Sequence, residues 1–347
     1  MKTNKALAHL IILLITMLSS CDMNTKIEPE MLKPKANRKL GDILIVLDKE
    51  HWDGPIDKSL NEHFCDFILS TPGPWDQEFD LKYIDPKGFN GMTNTDNTIL
   101  FFNIDEDSRD RILPFFSPIK DNYAKGQIIF DIPSMNKKNV LLYIDRYADS
   151  IKKIIKAEYL SILTSRLEEN AEINKLLNKN HNVSLLIPRG MKVIKSNSEF
   201  TMLGKSKIKK DDLGDHEIQQ RLFIYSYPYN NKSLFTQKRQ IHIRDSVCKI
   251  HVKGRLENSY METQKNKSLP FISKSLLHDN NYVLETRGSW RVRNDRMGGA
   301  FISIAVHDKH KNRIVTIEGN VYAPRFSKRE LIREMEALIY SYDFNPQ

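Results

Sequence analysis

The chain has 347 residues, of which 40% are hydrophobic and 28% are charged, and its formal net charge is +9. Its 14 glycines and 14 prolines follow no repeating period, which excludes a collagen-like or low-complexity chain. This length and composition predict one large or two ordinary globular domains with a sizeable core.

The first 20 residues have the pattern of a bacterial lipoprotein signal peptide. Lys2 and Lys5 form a positive start, and the largely apolar stretch 6–18 that follows is shorter than the ~20 residues a membrane span needs. Leu18-Ser19-Ser20-Cys21 then resembles the lipobox, whose cysteine accepts the lipid. We predict that residues 1–20 are removed and that acylation of Cys21 attaches the mature chain to a membrane.

The mature chain is predicted to begin with a tether over residues 21–40. This stretch is polar, contains Pro29 and Pro34, and has no apolar period, so we expect an extended segment. Removal of Lys2 and Lys5 lowers the formal net charge from +9 to +7.

Residues 41–180 are predicted to form the first half of the folded part. A buried strand is expected over 42–47, and a helix follows Pro55 with Ile56, Leu60 and Phe64 at helical spacing. Further strands near 79–83, 98–103 and 126–132 would complete a small mixed sheet. The stripe from 139 to 177 predicts core-facing helix, either one long helix or two helices broken near Asn170.

Residues 181–347 are predicted to form the second half. Strands are expected at 183–187, 199–203, 221–229, 259–263, 282–287, 290–293, 300–306 and 313–322, with a helix over 236–252. The aromatic row Phe223, Tyr225, Tyr227 and Tyr229 is interpreted as a face that packs under a helix. A closing helix follows Ser327 and Glu330, which we interpret as a capping box.

These elements predict an α+β protein. The expectation is two sandwich-like halves, each a mixed or antiparallel sheet covered by helices, joined by a long helical segment. The order of elements in the second half also resembles, weakly, the α-β-α sandwich of the photosystem accessory protein PsbP.

Several residues are candidates for catalytic or metal-binding sites. Asp295 and Glu318 are the pair of acids that could support a hydrolase, although an acid in a strand usually lies on its solvated face. The histidine pairs 307/310 and 242/251 lack further ligands at zinc spacing. No nucleophile elbow is present, and Gly298-Gly299 is interpreted as a close backbone approach. We therefore expect no catalytic, cofactor or metal site.

Two cysteines remain after lipidation, Cys65 and Cys248. Each lies beside apolar neighbours in a helix-like pattern. We favour buried free thiols over a disulfide, because the two positions offer no framework spacing.

Two basic blocks, Lys205 to Lys210 and Lys309 to Arg313, lie among turn residues and are interpreted first as solvated loops. The alternative is contact with anionic lipid or an acidic glycan. Nucleic acid is not expected to be a partner of an exported chain.

Short motifs along the chain, from about Arg38 onward, resemble a known family. They include Gly41-Asp42-Ile43 with Trp52, Ile243-Arg244-Asp245-Ser246, Gly288-Ser289-Trp290, the stretch 294–301 and Glu318-Gly319. Together they are similar to an uncharacterised lipoprotein family of Bacteroidetes-type bacteria, domain of unknown function 4837. The resemblance implies an envelope lipoprotein without an established activity.

These observations predict a lipoprotein attached to the outer membrane through Cys21. An acid after the cysteine, here Asp22, retains lipoproteins in the inner membrane of some bacteria, but the resemblance implies different sorting rules. The expected function is non-enzymatic binding or scaffolding, with an envelope protein or an anionic glycan as partner. The alternative is a membrane-tethered hydrolase that acts on glycan or peptidoglycan.

Overall fold

A computed structural model describes residues 33–344, except 38, 69, 74–75, 108 and 110–113. The predicted signal peptide and Cys21 therefore lie outside the described residues. Within the described part, no helix is both long and apolar enough to cross a membrane.

The first half contains a mixed sheet with two helices on one face. Its elements are β1 Asp42–Val46, α1 Pro55–Phe64, β2 Asp80–Ile84, β3 Thr98–Ile104, β4 Ile119–Lys120, β5 Ile128–Met135 and α2 Lys137–Thr164. The strand order is β2-β1-β3-β5-β4, and all neighbours are parallel except β4 and β5. Ile56 of α1 and Ile151 of α2 pack with Ile45 of the sheet in one core.

The C-terminal end of the predicted tether is packed against the first half. Lys35 and Asn37 form isolated β-bridges to the first half, and Leu40 is buried. Residues 35–37 and Leu40 therefore belong to the folded part of the chain.

The second half contains an eight-stranded antiparallel sheet with helices on both faces. Its elements are β6 Glu168–Glu169, α3 Ala171–His181, β7 Leu186–Ile187, β8 Lys192–Ser196, β9 Phe200–Asp211, β10 Gly214–Pro228, α4 Gln237–His251, β11 Met261–Thr263, β12 Ile272–His278, β13 Asn281–Val292, β14 Gly298–Asp308, β15 Arg313–Tyr322 and α5 Arg329–Ile339. The order is β11-β13-β14-β15-β10-β9-β8, and β12 also pairs with β13. The predicted α+β class is confirmed.

The two faces of this sheet bury different side chains. On one face, Ile302 and Ile317 pack with Leu177 of α3 and Leu338 of α5. On the other face, rings of the aromatic row pack against α4: Phe223 and Tyr225 are buried there, and Tyr227 donates a hydrogen bond to Gln240. The row is therefore core, as expected.

The helical segment between the halves is broken. The long helix ends at Thr164, and α3 begins after Asn170, whose side chain accepts a hydrogen bond from the backbone N–H of Ile173. This is the second of the two expected arrangements. Ile173 and Leu177, which the sequence assigned to the first half, pack in the core of the second half.

Helix α5 is not capped as the sequence suggests. Ser327 makes no cap, and the residue before the helix, Lys328, has no side-chain cap either. Instead Asp76 Oδ2 from the first half accepts hydrogen bonds from the backbone N–H groups of Lys328 (2.8 Å) and Arg329 (3.1 Å). The capping-box prediction was wrong because a distant carboxylate occupies the position.

The basic block 205–210 is also different from its prediction. It lies on β9, which pairs with β10 over its whole length, and is not a loop. Two of its charges are neutralised locally, since Lys205 pairs with Glu334 and Lys210 with Asp215. The block 309–313 does connect β14 to β15, as expected.

A candidate ligand-binding cleft

The two acids considered for catalysis are far apart. Glu318 is opposite Ser303 in the β14–β15 register, and Ser303 is five residues beyond Gly298, where β14 begins. At ~3.3 Å per residue this is roughly 16 Å along the strand, and Asp295 lies in the turn before Gly298. Glycosidase carboxyls are about 5–9.5 Å apart, so this pair does not form such a site.

Glu318 is not on a solvated face. It is fully buried, and Arg244 of α4 is 2% exposed. Arg244 Nε donates to both carboxylate oxygens at 3.0 Å, and Nη2 lies 2.9 Å from Oε1. Burial opposes the charge of Arg244, but Glu318 raises the Arg244 pKa above its usual value. The prediction for Glu318 was wrong because a buried cation compensates the acid.

The cysteines and histidines form no reactive or metal-binding group among the described residues. Cys65 and Cys248 are free thiols, the first half-buried and the second buried. Burial raises the pKa of Cys248 to about 12, so its thiol is not activated. No cluster of His, Cys, Asp and Glu that could hold a metal ion occurs in the part described.

A cleft of about 580 Å³ opens on the α4 face of the second sheet, at the C-terminal end of α4. The helix ends at His251, whereas the sheet continues beneath the chain that follows. The sheet surface beyond the helix is thus only partly covered. The volume is within the range of about 300–1,000 Å³ that is usual for small-molecule sites.

The walls of the cleft are mainly apolar. Trp290 is buried, and its Nε1–H donates to the backbone oxygen of Ala300 at 3.1 Å, so its polar atom is satisfied. Methionine side chains are flexible and polarizable and adapt to ligands of different shape. The principal apolar wall residues are Met202, Met261, Trp290, Val292, Met297 and Tyr322.

A β-bulge aims two consecutive side chains at the cleft. In the β8–β9 pairing, Val193 is opposite Leu203 and Lys195 is opposite Met202, so Ile194 is the extra residue. Ile194 lies over Gly204, where an added Cβ would come within 2.5 Å of its Cδ1. Since a bulge turns neighbouring side chains to the same face, both Ile194 and Lys195 line the cleft.

Arg221 supplies a partly buried cation that has no carboxylate partner among the described residues. It is half-buried on β10 and donates from Nε (3.0 Å) and Nη2 (2.8 Å) to Gln219 Oε1. Nη1 lies 3.5 Å from Met202 Sδ. Burial lowers the pKa of Arg221, and only Glu217, four residues earlier on the strand, acts in the opposite direction. The guanidinium is therefore partly desolvated, and no carboxylate in the described part of the chain compensates its charge.

Asn320 supplies an unused donor beside Arg221. The two residues are directly opposite in the β10–β15 register, and Asn320 is 2% exposed. Its Oδ1 accepts from Arg244 Nη2 at 3.3 Å, which fixes the orientation of the amide. Its Nδ2 is buried and has no hydrogen-bond partner, an arrangement that costs about 1–3 kcal/mol unless a ligand accepts from it.

The charged residues that line the cleft are all basic. Lys195, Lys253 and Arg255 stand at its exposed edge with Arg221 inside, and no Asp or Glu is among the described residues that line it. Burial and the neighbouring Lys195 lower the pKa of His251, so this ring adds no charge at neutral pH. The cleft therefore has a positive potential.

A second depression, of about 400 Å³, lies at the seam between the halves. Its charges satisfy one another: Lys156 pairs with Glu78, Arg287 with Glu336 and Arg329 with Asp80. Because these charged side chains already have partners, a ligand would gain little by contacting them. The cleft on the α4 face is therefore the stronger candidate for a binding site.

The comparison with family models assigns the second half of the chain. Residues 170–341 match the model described as Domain of unknown function (DUF4837), and residues 36–168 match Domain of unknown function (DUF8532). Residues 170–341 belong to the DUF4837 family. The expected resemblance to domain of unknown function 4837 is confirmed for the second half, but it does not extend to the first half, where Gly41-Asp42-Ile43 and Trp52 lie within the other model. The boundary between the two models lies between α2 and α3.

No curated protein matches the chain. Among solved structures, the Ran-binding protein Mog1p of Saccharomyces cerevisiae is similar at 9% identity and a TM-score of 0.30, over 47% of this chain and 90% of its own. A Mog1 mutant is similar at 10% identity and a TM-score of 0.27, over the same shares. Likenesses at these TM-scores say nothing about what this chain binds.

The motifs that resemble DUF4837 form close packing contacts in the second half, near the cleft. An added Cβ at Gly299 would lie 1.9 Å from the backbone oxygen of Val321 and 2.9 Å from the Trp290 ring, and one at Gly319 would lie 2.5 Å from Met335 Cβ. The expected close approach at Gly299 is confirmed. Arg244 and Glu318, from two separate motifs, form one ion pair.

Sequence reasoning missed the DUF4837 cleft because its described residues come from six strands, the end of α4 and two loops. Arg221 sits in a strand pattern that predicts only burial, and Asn320 looks like a tolerated polar residue. A usable signal was the alternation Gln219, Arg221, Phe223, which places two polar side chains on the face predicted to be core.

Proposed function

We propose that this chain is a membrane-anchored, non-enzymatic binding protein of the cell envelope, whose cleft on the α4 face captures a small ligand. The proposed anchor is acylated Cys21, and the proposed membrane is the outer membrane. The polar stretch between Cys21 and the first described contacts, made by Lys33 and Pro34, would keep the folded part close to that membrane.

The observation that carries the binding proposal is a cation without a carboxylate partner beside one unsatisfied buried donor, both inside an apolar cleft. Arg221 has no carboxylate partner in the described part of the chain, and Asn320 Nδ2 has no acceptor. Buried polar groups are normally satisfied. Groups left without partners in a concave site are a typical feature of a surface that a ligand completes.

Binding is favoured over hydrolysis by the composition of the cleft. Among its described lining residues are no carboxylate, serine or cysteine, and Glu318 is already held by Arg244. General acid–base or nucleophilic hydrolysis requires convergent groups of these kinds. The alternative of a tethered glycan hydrolase therefore finds no supporting site among the described residues.

A thermal-shift panel tests the proposal. The folded part without its signal peptide is mixed separately with laurate, dodecanol, dodecylamine and oligomers of N-acetylglucosamine. We expect at least one compound to raise Tm, because a ligand that binds only the native state stabilises it. Met297 is half-exposed at the mouth of the cleft, so Met297→Trp should narrow it and abolish the shift.

The control for this panel is Met92→Trp, because Met92 is an exposed residue of the first half and lies outside the cleft. This variant should keep the Tm response. Absence of any response in the wild type, an unchanged response in Met297→Trp, or cleavage of the glycan oligomers would contradict the proposal.

A further inference from the structure

We infer that the ligand of the cleft is an amphiphilic organic anion, with one oxyanion head group and an apolar body. This inference rests on the proposed function, since it assigns a ligand class to the same cleft. The carboxylate and phosphate head groups share the required chemistry and are separated by the experiment below.

The head group is recognised by Arg221 and Asn320. A guanidinium is a planar fork of donors that matches two oxygens of a carboxylate or phosphate. Nε and Nη2 of Arg221 both donate to the one amide oxygen of Gln219, and Nη1 contacts the sulfur of Met202. Asn320 adds the free Nδ2 donor on the adjacent strand. An oxyanion placed between them would satisfy both residues.

The body is recognised by the apolar wall. Trp290 offers a ring whose N–H is already satisfied, and Met202, Met261 and Met297 surround the same space. A free inorganic ion would leave this apolar surface exposed to water. The gain from burying it, about 25 cal/mol per Å², is available only to a ligand with an apolar part.

The basic residues at the rim of the cleft favour a negatively charged ligand. Lys195, Lys253 and Arg255 are exposed at the edge and form no ion pair that the described part of the chain records. Such a rim attracts anions from a distance in a salt-dependent way and repels cationic amphiphiles. Among the described residues, the one acid that raises the Arg221 pKa is Glu217, four residues earlier on β10.

Calorimetric titration with a matched series of ligands tests the inference. Laurate, dodecyl phosphate, dodecanol, dodecylamine and acetate are each titrated below the concentrations at which they form micelles. We expect laurate, dodecyl phosphate or both to bind, and the better of the two identifies the head group. Dodecanol and acetate, which lack the charge or the body, should each bind about tenfold or more weakly, and dodecylamine should not bind.

Three variants assign the effect to Arg221. Arg221→Gln should weaken binding of the anion about tenfold or more, and Arg221→Lys should recover part of the loss because it restores the charge without the fork. Arg239→Gln removes the same charge from an exposed residue in the first turn of α4, and should change the affinity by less than about twofold. A circular dichroism spectrum and Tm like those of the wild type confirm that each variant is folded.

The outcomes separate this inference from the proposed function. If dodecanol binds as tightly as laurate and Met297→Trp abolishes both, the cleft is a binding site but the ligand class is wrong. If Arg221→Gln binds the anion like the wild type, the recognition by Arg221 is wrong. If no compound of the series binds, both proposals fail.

Discussion

Two arginines at the interface between α4 and the second sheet differ in how their charges are compensated. Arg244 lies on α4 and Arg221 on β10. Arg244 is buried with the carboxylate of Glu318, and it also donates to Thr263 Oγ1 at 3.1 Å and lies over the Phe301 ring at 4.1 Å. Arg221 has one neutral acceptor and no counter-ion. Complete pairing makes Arg244 part of the core, whereas incomplete pairing leaves Arg221 available to a ligand.

The structural role of the Arg244–Glu318 pair predicts a large loss of stability in Glu318→Gln. Removing one charge leaves the other buried without compensation, which costs about 3–5 kcal/mol. The free energy of unfolding in urea measures it. Glu168→Gln is the matched control, because Glu168 pairs with Arg189 at 3.2 Å on the surface, and the expected loss there is about 1 kcal/mol or less. Equal losses in the two variants would show that the buried pair is not a stability determinant.

At the scale of elements, helix α5 holds the two halves together. Its residue Ala337 packs in the core of the first half, and Met335 and Leu338 pack in that of the second. The N-terminal turn is fixed by Asp76, and Arg329 reaches back to Asp80 at 2.8 Å. The helix therefore depends on the first half for its cap and on both halves for its burial.

This arrangement predicts that Asp76 matters for α5 and Ser327 does not. Asp76→Ala should lower the free energy of unfolding by about 1–2 kcal/mol, since a helix loses its N-terminal acceptor and a favourable charge. Ser327→Ala should change it by less than about 0.5 kcal/mol, because Ser327 is exposed and caps nothing. Urea titrations of the two variants give both values, and a larger effect of Ser327→Ala would restore the local capping box as the correct interpretation.

For the whole molecule, the elements that sequence patterns predicted best are those with a periodic buried face. Strand β15 has the predicted bounds, and α4 differs by one residue at each end. Strand β8 was not predicted, because four of its five residues are exposed and no alternation of burial marks an edge strand. Within the β9–β10 ribbon the sequence predicts strands at 199–203 and 221–229 but a loop at 205–210, because the lysines there resemble turn composition.

The cleft could not be predicted because it depends on relations between distant residues. Arg221 lies opposite Asn320 only through the β10–β15 register, and Ile194 and Lys195 face the cleft only because of a bulge. Likewise, Glu318 was expected on a solvated face because its partner Arg244 is 74 residues away in the chain. Pairing partners of this kind become visible only in the folded structure.

The two proposals concern separate parts of the molecule: the cleft, proposed to bind a small ligand, and Cys21, proposed to attach the chain to a membrane. The residues of the cleft lie between 194 and 322, so the anchor and the site can be tested in the same pair of proteins. Cys21→Ala should change the location of the chain and leave its binding of laurate or dodecyl phosphate as it is.

The most direct measurement is metabolic fatty-acid labelling of the full-length wild type and Cys21→Ala, followed through separation of the bacterial membranes. We predict a labelled wild-type band in the outer-membrane fraction, no label in Cys21→Ala, and a variant that accumulates as precursor or leaves the membrane. Label in neither protein, or an unchanged membrane fraction in Cys21→Ala, would contradict the anchored binding protein proposed above.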